Sequence, residues 1–186
     1  MGFKEIEKFN DALLAKQVWR MLKNPESFCH RGFKAHFFLD CSVLEANSST
    51  NRLYAWKSIL SARDVVRKGM VWQIGDGKTV RLKEDKWLPD QVYRSVSSPL
   101  HSIPLDAKVS IFIDEVNGTC KEVEIKQNFL PHEVKKIMCI LLSPRLPQDS
   151  PIWSKTPLGI FSTRSAYKLL VHEALANSPG SSNPHL

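Results

Sequence analysis

The run WQIGDGKTVRLKEDKWLP, from Trp72 to Pro89, constrains the fold more than any other stretch. Glycines at 75 and 77 flank Asp76, and this triplet accommodates the positive φ angles that side chains resist, so the backbone is free to reverse there. Short apolar runs lie on both sides. The pattern predicts a β-hairpin with Val71–Ile74 and Thr79–Leu82 as strands, closed by Trp87-Leu88-Pro89. Gly75-Asp-Gly-Lys78-Thr79 also looks like part of a phosphate loop. The GxxxxGK[ST] spacing and the helix that should follow are both missing, so the stretch reads as a turn and not as a nucleotide cradle.

Helical periodicity governs most of the remaining chain. Residues 5–23 read as a helix whose apolar stripe is Leu14, Val18 and Met21/Leu22, extended backwards by Phe9 and Leu13. Lys16, Arg20 and Lys23 fall on one arc of it, and Asn24-Pro25 stops it. Glu26–Phe37 predicts a second helix whose aromatics Phe28, Phe33, Phe37 and Phe38 read as core. A polar loop over 39–51 supplies capping residues for a third helix, Arg52 to Arg67, with Leu53, Trp56, Ile59/Leu60 and Val66 buried and Gly69 as its stop. Arg63 and Arg67 stand one turn apart near its end.

After Pro89 the serines and prolines of 95–104 read as a linker. Val109–Ile113 predicts an edge strand or helical turn, and Asn117-Gly118 a turn. Glu122–Asn128 and Pro131–Leu142 predict two short helices, the second opened by Pro131 and Glu133. Ser143–Pro151, with three prolines, is the strongest linker signal. Ile152–Phe161 repeats a hairpin pattern with Gly159 in the turn, and Thr163–Leu175 follows as a helix. The expected fold is mainly α with two small β-hairpins (α+β). A helical module covers 1–92, a linker 93–104, short helices 105–150, a last segment 151–176, and a disordered tail 177–186.

Of 186 residues, 26 are Lys or Arg and 19 are Asp or Glu, a net charge of +7. By halves, residues 1–100 hold 17 basic against 11 acidic residues, and 101–186 hold 9 against 8. The excess therefore points to a polyanionic partner for the first half. Cys29, Cys41, Cys120 and Cys139 lack CxxC spacing and a companion HxxxH, which predicts free, buried thiols in a reducing compartment and no zinc site. No apolar run is long enough for a membrane span, and the N-terminus lacks the apolar core of a secretory signal. The expected location is intracellular, in nucleus or cytoplasm.

No complete catalytic constellation is visible. Two-metal nuclease or polymerase chemistry needs converging carboxylates, and the candidates are Asp85, Asp90, Asp114 and Glu115. Asp114 and Glu115 are adjacent, so their side chains diverge. Asp76 reads as a turn former, and none of the six histidines has a telling local spacing. No metal, cofactor or small-molecule substrate is expected. What stands out is Lys and Arg interleaved with Trp19, Trp56 and Trp72, the make-up of a surface for single-stranded nucleic acid or a hybrid duplex.

A series of motifs carries a resemblance. Phe9-Asn10-x-Ala12-Leu-Leu-Ala-Lys-Gln17-x-Trp19-Arg20 opens it, followed by Asn24-Pro25 and Phe33-Lys34-Ala35-x-Phe37-Phe38. Trp56-x-Ser58-Ile59-Leu60-x-x-Arg63-Asp64, Gly69-x-x-Trp72-x-Ile74-Gly75-Asp76-Gly77-Lys78 and Asp85-x-Trp87-Leu88-Pro89 come next. Leu130-Pro131-x-Glu133 with Ile137, and Trp153 through Gly159-x-Phe161-Ser162-x-x-Ser165-Ala166-Tyr167, complete it. In this order they resemble plant non-LTR (LINE-type) retrotransposon polyproteins, in the region after the reverse-transcriptase core.

The resemblance implies thumb- and connection-like elements that grip template and primer, with 151–176 as the start of a truncated zinc-binding segment. The family's Tyr-x-Asp-Asp site, its zinc ligands and its ribonuclease H carboxylates are not found in this sequence, and Lys86 stands where the family commonly has Pro or Arg. The expected function is a non-catalytic part of a reverse transcriptase/ribonuclease H-type polyprotein that binds RNA or RNA–DNA hybrid. Its expected contacts are Lys16, Arg20, Lys23, Arg63, Arg67, Lys78 and Arg81. The alternative is a degenerate remnant without activity, linked to ribonuclease H or reverse transcriptase only by adjacency in the polyprotein.

Overall fold

A computed structural model of the chain describes residues 3–46, 53–90 and 94–176. The elements, in order, are α1 (Phe3–Lys23), α2 (Phe28–Phe37), α3 (Tyr54–Ser61), α4 (Arg63–Gly69), β1 (Met70–Gln73), a 3-10 turn (Val109–Phe112), β2 (Ile113–Asp114), β3 (Thr119–Cys120), α5 (Glu122–Asn128), α6 (Pro131–Met138), β4 (Ser150–Trp153) and α7 (Thr163–Ala176). The mainly helical fold with two small sheets matches expectation, but the strands pair differently. The chain divides into two compact units: 1–69 with 153–186, and 70–152. The division thus falls at 69/70 and 152/153, not at the 93–104 stretch, and the first unit is discontinuous.

Unit 1 is helical and built from both ends of the chain. α1 packs on α7, α4 and α3. Its buried stripe is Ala12, Ala15, Val18, Trp19 and Met21, whereas Phe9 and Leu13 are exposed. Periodicity had favoured the larger side chains; the alanines win because they let a neighbouring helix approach closely. Trp19 stacks on Phe161 at 5.5 Å and meets Trp153 edge-on at 5.7 Å. Phe9, although exposed, touches the Tyr167 ring of α7.

α2 buries no residue of its own, and Phe28 is 91% exposed with Arg31 over its ring, so the expected aromatic core is only partly realised. Phe33, Phe37 and the buried Phe38 all stack on Trp56. Ser27 caps α2 by accepting the His30 N–H. The expected single third helix is two. α3 ends at Ala62, whose N–H is shared between the Ile59 and Leu60 carbonyls, and α4 restarts at Arg63. Leu53 is exposed rather than buried, while Trp56, Ile59, Leu60, Val65 and Val66 form the core stripe. The capping residues expected at 48–51 lie outside the described residues, as does the tail from 177.

Unit 2 closes a core of Ile74, Val80, Leu82, Trp87, Leu88, Leu100, Val109, Phe112, Ile113, Ile125, Phe129 and Ile137. The expected hairpin between 71–74 and 79–82 does not form. β1 pairs with β4 instead. The 79–82 stretch alternates as a strand should, with Val80 and Leu82 buried, yet its partner is 107–109: Arg81 bridges Lys108, Leu82 N–H donates to the Ala107 carbonyl and Val109 N–H to the Val80 carbonyl. The hairpin that does form is β2–β3, with Ile113 opposite Cys120 and Gly118 in the turn at φ 63°. The Gly159 pattern makes a turn, not a hairpin: Trp153 N–H reaches the Gly159 carbonyl, and no strand follows among the described residues.

Neither proline-rich stretch is a free linker. Around 94–104, Ser98 and Leu100 are buried, and Ser97 and Ser98 bond the Glu133 carboxylate. In 143–151, the Asp149 carboxylate accepts the N–H groups of Gly75 (2.8 Å), Gly77 (3.0 Å), Thr79 (2.9 Å) and Val80 (3.4 Å). This explains the Gly-Asp-Gly. Its N–H groups converge into an anion-binding concavity, and the chain fills that concavity with its own carboxylate. A Cβ on Gly75 would lie 1.8 Å from the Pro147 carbonyl oxygen, and Gly77 sits at φ 68°. Asp76 closes a local turn by accepting the Lys78 N–H, as expected.

Candidate nucleic-acid interface

The division into units relocates the charge. Unit 1 carries 15 Lys and Arg against 8 Asp and Glu, and unit 2 carries 11 against 11. The whole excess of +7 therefore belongs to unit 1. Counting by halves blurred this because the unit is assembled from both ends of the chain.

The seven expected contact residues fall in both units, five in unit 1 and two in unit 2. Lys16, Arg20 and Lys23 lie exposed on α1. Arg63 is part-buried and holds backbone: its guanidinium donates to the Leu60 carbonyl at 3.1 Å, to Leu44 at 3.2 Å and to Ala46. Burial, reinforced by the neighbouring Arg67 charge, lowers its pKa from the ordinary value. Arg67 pairs with Asp64 at 3.0 Å and also donates to the Leu44 carbonyl. These two arginines fasten the 42–46 turn to α3 and α4. In unit 2, Lys78 pairs with Glu115 at 2.9 Å, which raises the ammonium pKa by hydrogen bond and charge. Arg81 pairs with Glu84 at 2.5 Å.

A second basic surface escaped the sequence reading. In unit 1, a groove of about 590 Å³ runs between the 155–156 turn and α7. Arg164, Lys168 and His172 line it from α7, and Lys155 faces them from the turn. The spacing 164, 168, 172 places three side chains on one helical face. That pattern is present in the sequence but masked by the near-neutral charge of residues 101–186. Ser162 and Ser165, read as polar residues at a helix start, serve there: Ser162 Oγ accepts the Ser165 N–H, and Ser165 Oγ accepts Trp153 Nε1 at 2.8 Å.

The tryptophans are not stacking platforms. Trp19 and Trp56 are buried, and Trp72 is half-buried. The carboxylates weighed for metal chemistry each have a local partner. Asp85 accepts the Arg81 N–H, Asp90 pairs with Lys136, and Asp114 accepts the Val116 and Asn117 N–H groups. Burial raises the Asp85 pKa, whereas the hydrogen bonds to Asn117 and Val116 lower that of Asp114. Among the described residues, no three His, Cys, Asp or Glu side chains are grouped to hold a metal ion, and no helix is long and apolar enough to cross a membrane. All four cysteines are free, but Cys29, Cys41 and Cys139 are exposed rather than buried.

Comparison with known proteins finds two relatives in Arabidopsis thaliana. The "Uncharacterized mitochondrial protein AtMg00310" is 34% identical over 91 residues, 49% of this chain and 59% of that protein. The "Putative ribonuclease H protein At1g65750" is 24% identical over 178 residues, 91% of this chain and 28% of that protein. The chain thus spans less than two thirds of either relative. No family model matches, and no solved structure matches. These matches are consistent with the plant retrotransposon polyproteins that the collinear motifs resemble.

Proposed function

We propose that this chain is a non-catalytic segment of a LINE-type polyprotein and binds RNA or RNA–DNA hybrid through unit 1. One observation carries the reading: all of the net positive charge lies in unit 1, while unit 2 is neutral and pairs five of its eleven cations with carboxylates. A polyanion is the partner that such a distribution favours, and counterion release from its phosphates supplies the affinity. Lys16, Arg20 and Lys23, exposed on α1, are the contacts retained among those expected from sequence. Arg63 and Arg67 are committed to backbone carbonyls, and Lys78 and Arg81 to carboxylates. The absence of a catalytic step is supported by the local bonding of Asp85, Asp90, Asp114 and Glu115.

The test is fluorescence anisotropy with a labelled single-stranded RNA and with an RNA–DNA hybrid, across a salt series. Log affinity is expected to fall linearly with log salt, by about 0.7 per phosphate contacted on a single strand and about 0.9 on a duplex. Undetectable binding at low salt, or affinity indifferent to salt, refutes the reading. Incubation with Mg²⁺ or Mn²⁺ and either substrate is expected to yield neither cleavage nor extension.

A further inference from the structure

We infer that the α7 groove is where unit 1 takes the phosphodiester backbone of a nucleic-acid strand, through Lys155, Arg164, Lys168 and His172. This rests on the nucleic-acid reading above and assigns it a surface beyond the seven contacts expected from sequence. Among the described residues, none of these four side chains has an ion-pair or hydrogen-bond partner, and all are exposed. The carboxylate on α7 is Glu173, which pairs with Lys68 at 2.6 Å. Nine residues after Arg164, it projects from roughly the opposite side of the helix. The groove face is therefore basic and free of acid.

Its walls are fixed before any ligand arrives. Ser154 bonds the Gly69 carbonyl through both its N–H and its hydroxyl, each at 2.8 Å, and Thr156 Oγ1 donates to the Ile160 carbonyl at 2.8 Å. These bonds hold the turn that presents Lys155. On the α7 side, Ser165 Oγ donates to the Ser162 carbonyl while accepting from Trp153 Nε1 and from Ser162 Oγ. Side chains mounted on pre-ordered backbone lose less freedom on binding.

Size and lining select the ligand class. Arg164, Lys168 and His172 are four residues apart in turn, about 6 Å along the axis, so the row spans about 12 Å. A row of that length meets several phosphates of a strand rather than a single one. The groove lining contains no Phe, Tyr or Trp, its one large apolar member being Leu169. With no large aromatic platform for successive bases, contact is chiefly to the backbone and sequence-independent.

The experiment uses the full chain and compares two triple variants: Lys155→Gln/Arg164→Gln/Lys168→Gln in the groove, and Lys16→Gln/Arg20→Gln/Lys23→Gln on α1. All six side chains are exposed, and circular dichroism confirms folding. For oligo(U) and oligo(A) of equal length, the groove variant is expected to lose roughly tenfold or more in affinity at low salt, equally for both. Its salt slope is expected to fall by about 2, from three contacts at about 0.7 each. Wild-type binding that survives the groove substitutions within twofold overturns the inference while leaving the function proposal standing.

A second arm needs no RNA. Titration of ¹⁵N-labelled wild type with sodium tripolyphosphate is expected to shift the amides of 163–172 ahead of those in unit 2. If RNA is not bound but these amides shift, the groove stands as an anion site and the nucleic-acid function falls. If they do not shift, the groove assignment falls.

Discussion

Asp149 offers the sharpest test of how unit 2 is held together. Asp149→Ala removes the acceptor for four backbone N–H groups, three of them at 2.8–3.0 Å and the fourth at 3.4 Å. Gly75, Gly77 and Val80 are buried, so water does not replace the carboxylate at their N–H groups, while the exposed Thr79 can be rehydrated. The Val80 bond is long, at 3.4 Å, and adds little. The two glycine donors left without partners cost about 1–3 kcal/mol each, so the expected loss is about 3–5 kcal/mol, the middle of the summed range. For a chain of this size, that is a fall in Tm of roughly 6–20 °C. Asp149→Asn keeps one acceptor oxygen and is expected to cost about half as much.

The contrast is Asp76, between the two glycines, which accepts only the Lys78 N–H. Asp76→Ala should cost about 0.5–1 kcal/mol. Urea unfolding followed by tryptophan fluorescence, with amide exchange at Gly77 as a local probe, measures all three. An Asp149→Ala variant within 0.5 kcal/mol of wild type, or an Asp76→Ala variant that costs as much as Asp149→Ala, would refute the reasoning.

Three other outcomes are expected. Burial raises the Glu133 pKa, but hydrogen bonds from Ser98 and Ser97 outweigh it and leave the value below the ordinary 4.5. Its contribution is therefore present above that value and lost as pH falls through the lower folded value, so stability measured by denaturation should drop in acid, and Glu133→Gln should flatten the drop and cost about 2 kcal/mol at pH 7. Arg63→Lys is expected to destabilise unit 1 nearly as much as Arg63→Ala, by about 1.5–3 kcal/mol, because one ammonium cannot reach the three carbonyls that the guanidinium serves; full rescue by lysine in a thermal melt contradicts this. Raising salt from about 0.05 to 0.3 M should slow amide exchange in unit 1, by relieving its self-repulsion, and leave unit 2 unchanged; equal effects on Val66 and Val80 count against the charge partition.

What sequence could and could not reveal follows from the range of each interaction. Helices α1, α5 and α7 were legible because their signals are local: periodicity, Asn24-Pro25, and the polar start at Ser162–Thr163. The alternation of Val80 and Leu82 was legible too, but alternation says only that a segment is extended and half-buried. The identity of its partner, 107–109, is a long-range fact with no local trace. Proline-rich composition misled at 95–104 and 143–151 for a related reason. Proline removes a donor and fixes φ, which excludes helix but not packing, and Glu133 and Asp149 are what anchor those stretches. At the candidate site, Lys16, Arg20 and Lys23 were recognisable as one face, whereas the fate of Arg63 depended on where the 42–46 carbonyls come to rest.

The two units treat charge in opposite ways, and this bears most on function. In unit 2, Lys78, Arg81, Lys121, Lys126 and Lys136 all lie within 4 Å of a carboxylate, and the eleven cations are matched by eleven anions. Exposed pairs of this kind add little stability. Their effect is to cancel the field that would draw a polyanion to that surface. Unit 1 has seven more cations than anions, and its arginines at 63 and 67 are spent on backbone carbonyls. The exposed cations on α1 and α7 repel one another, which costs stability unless an anionic partner is present. A surface kept in that state stores its stabilisation in the complex, so binding and stability of unit 1 should rise together as a polyanion is added, and the polyanion's share of that stability should shrink as salt screens the free unit.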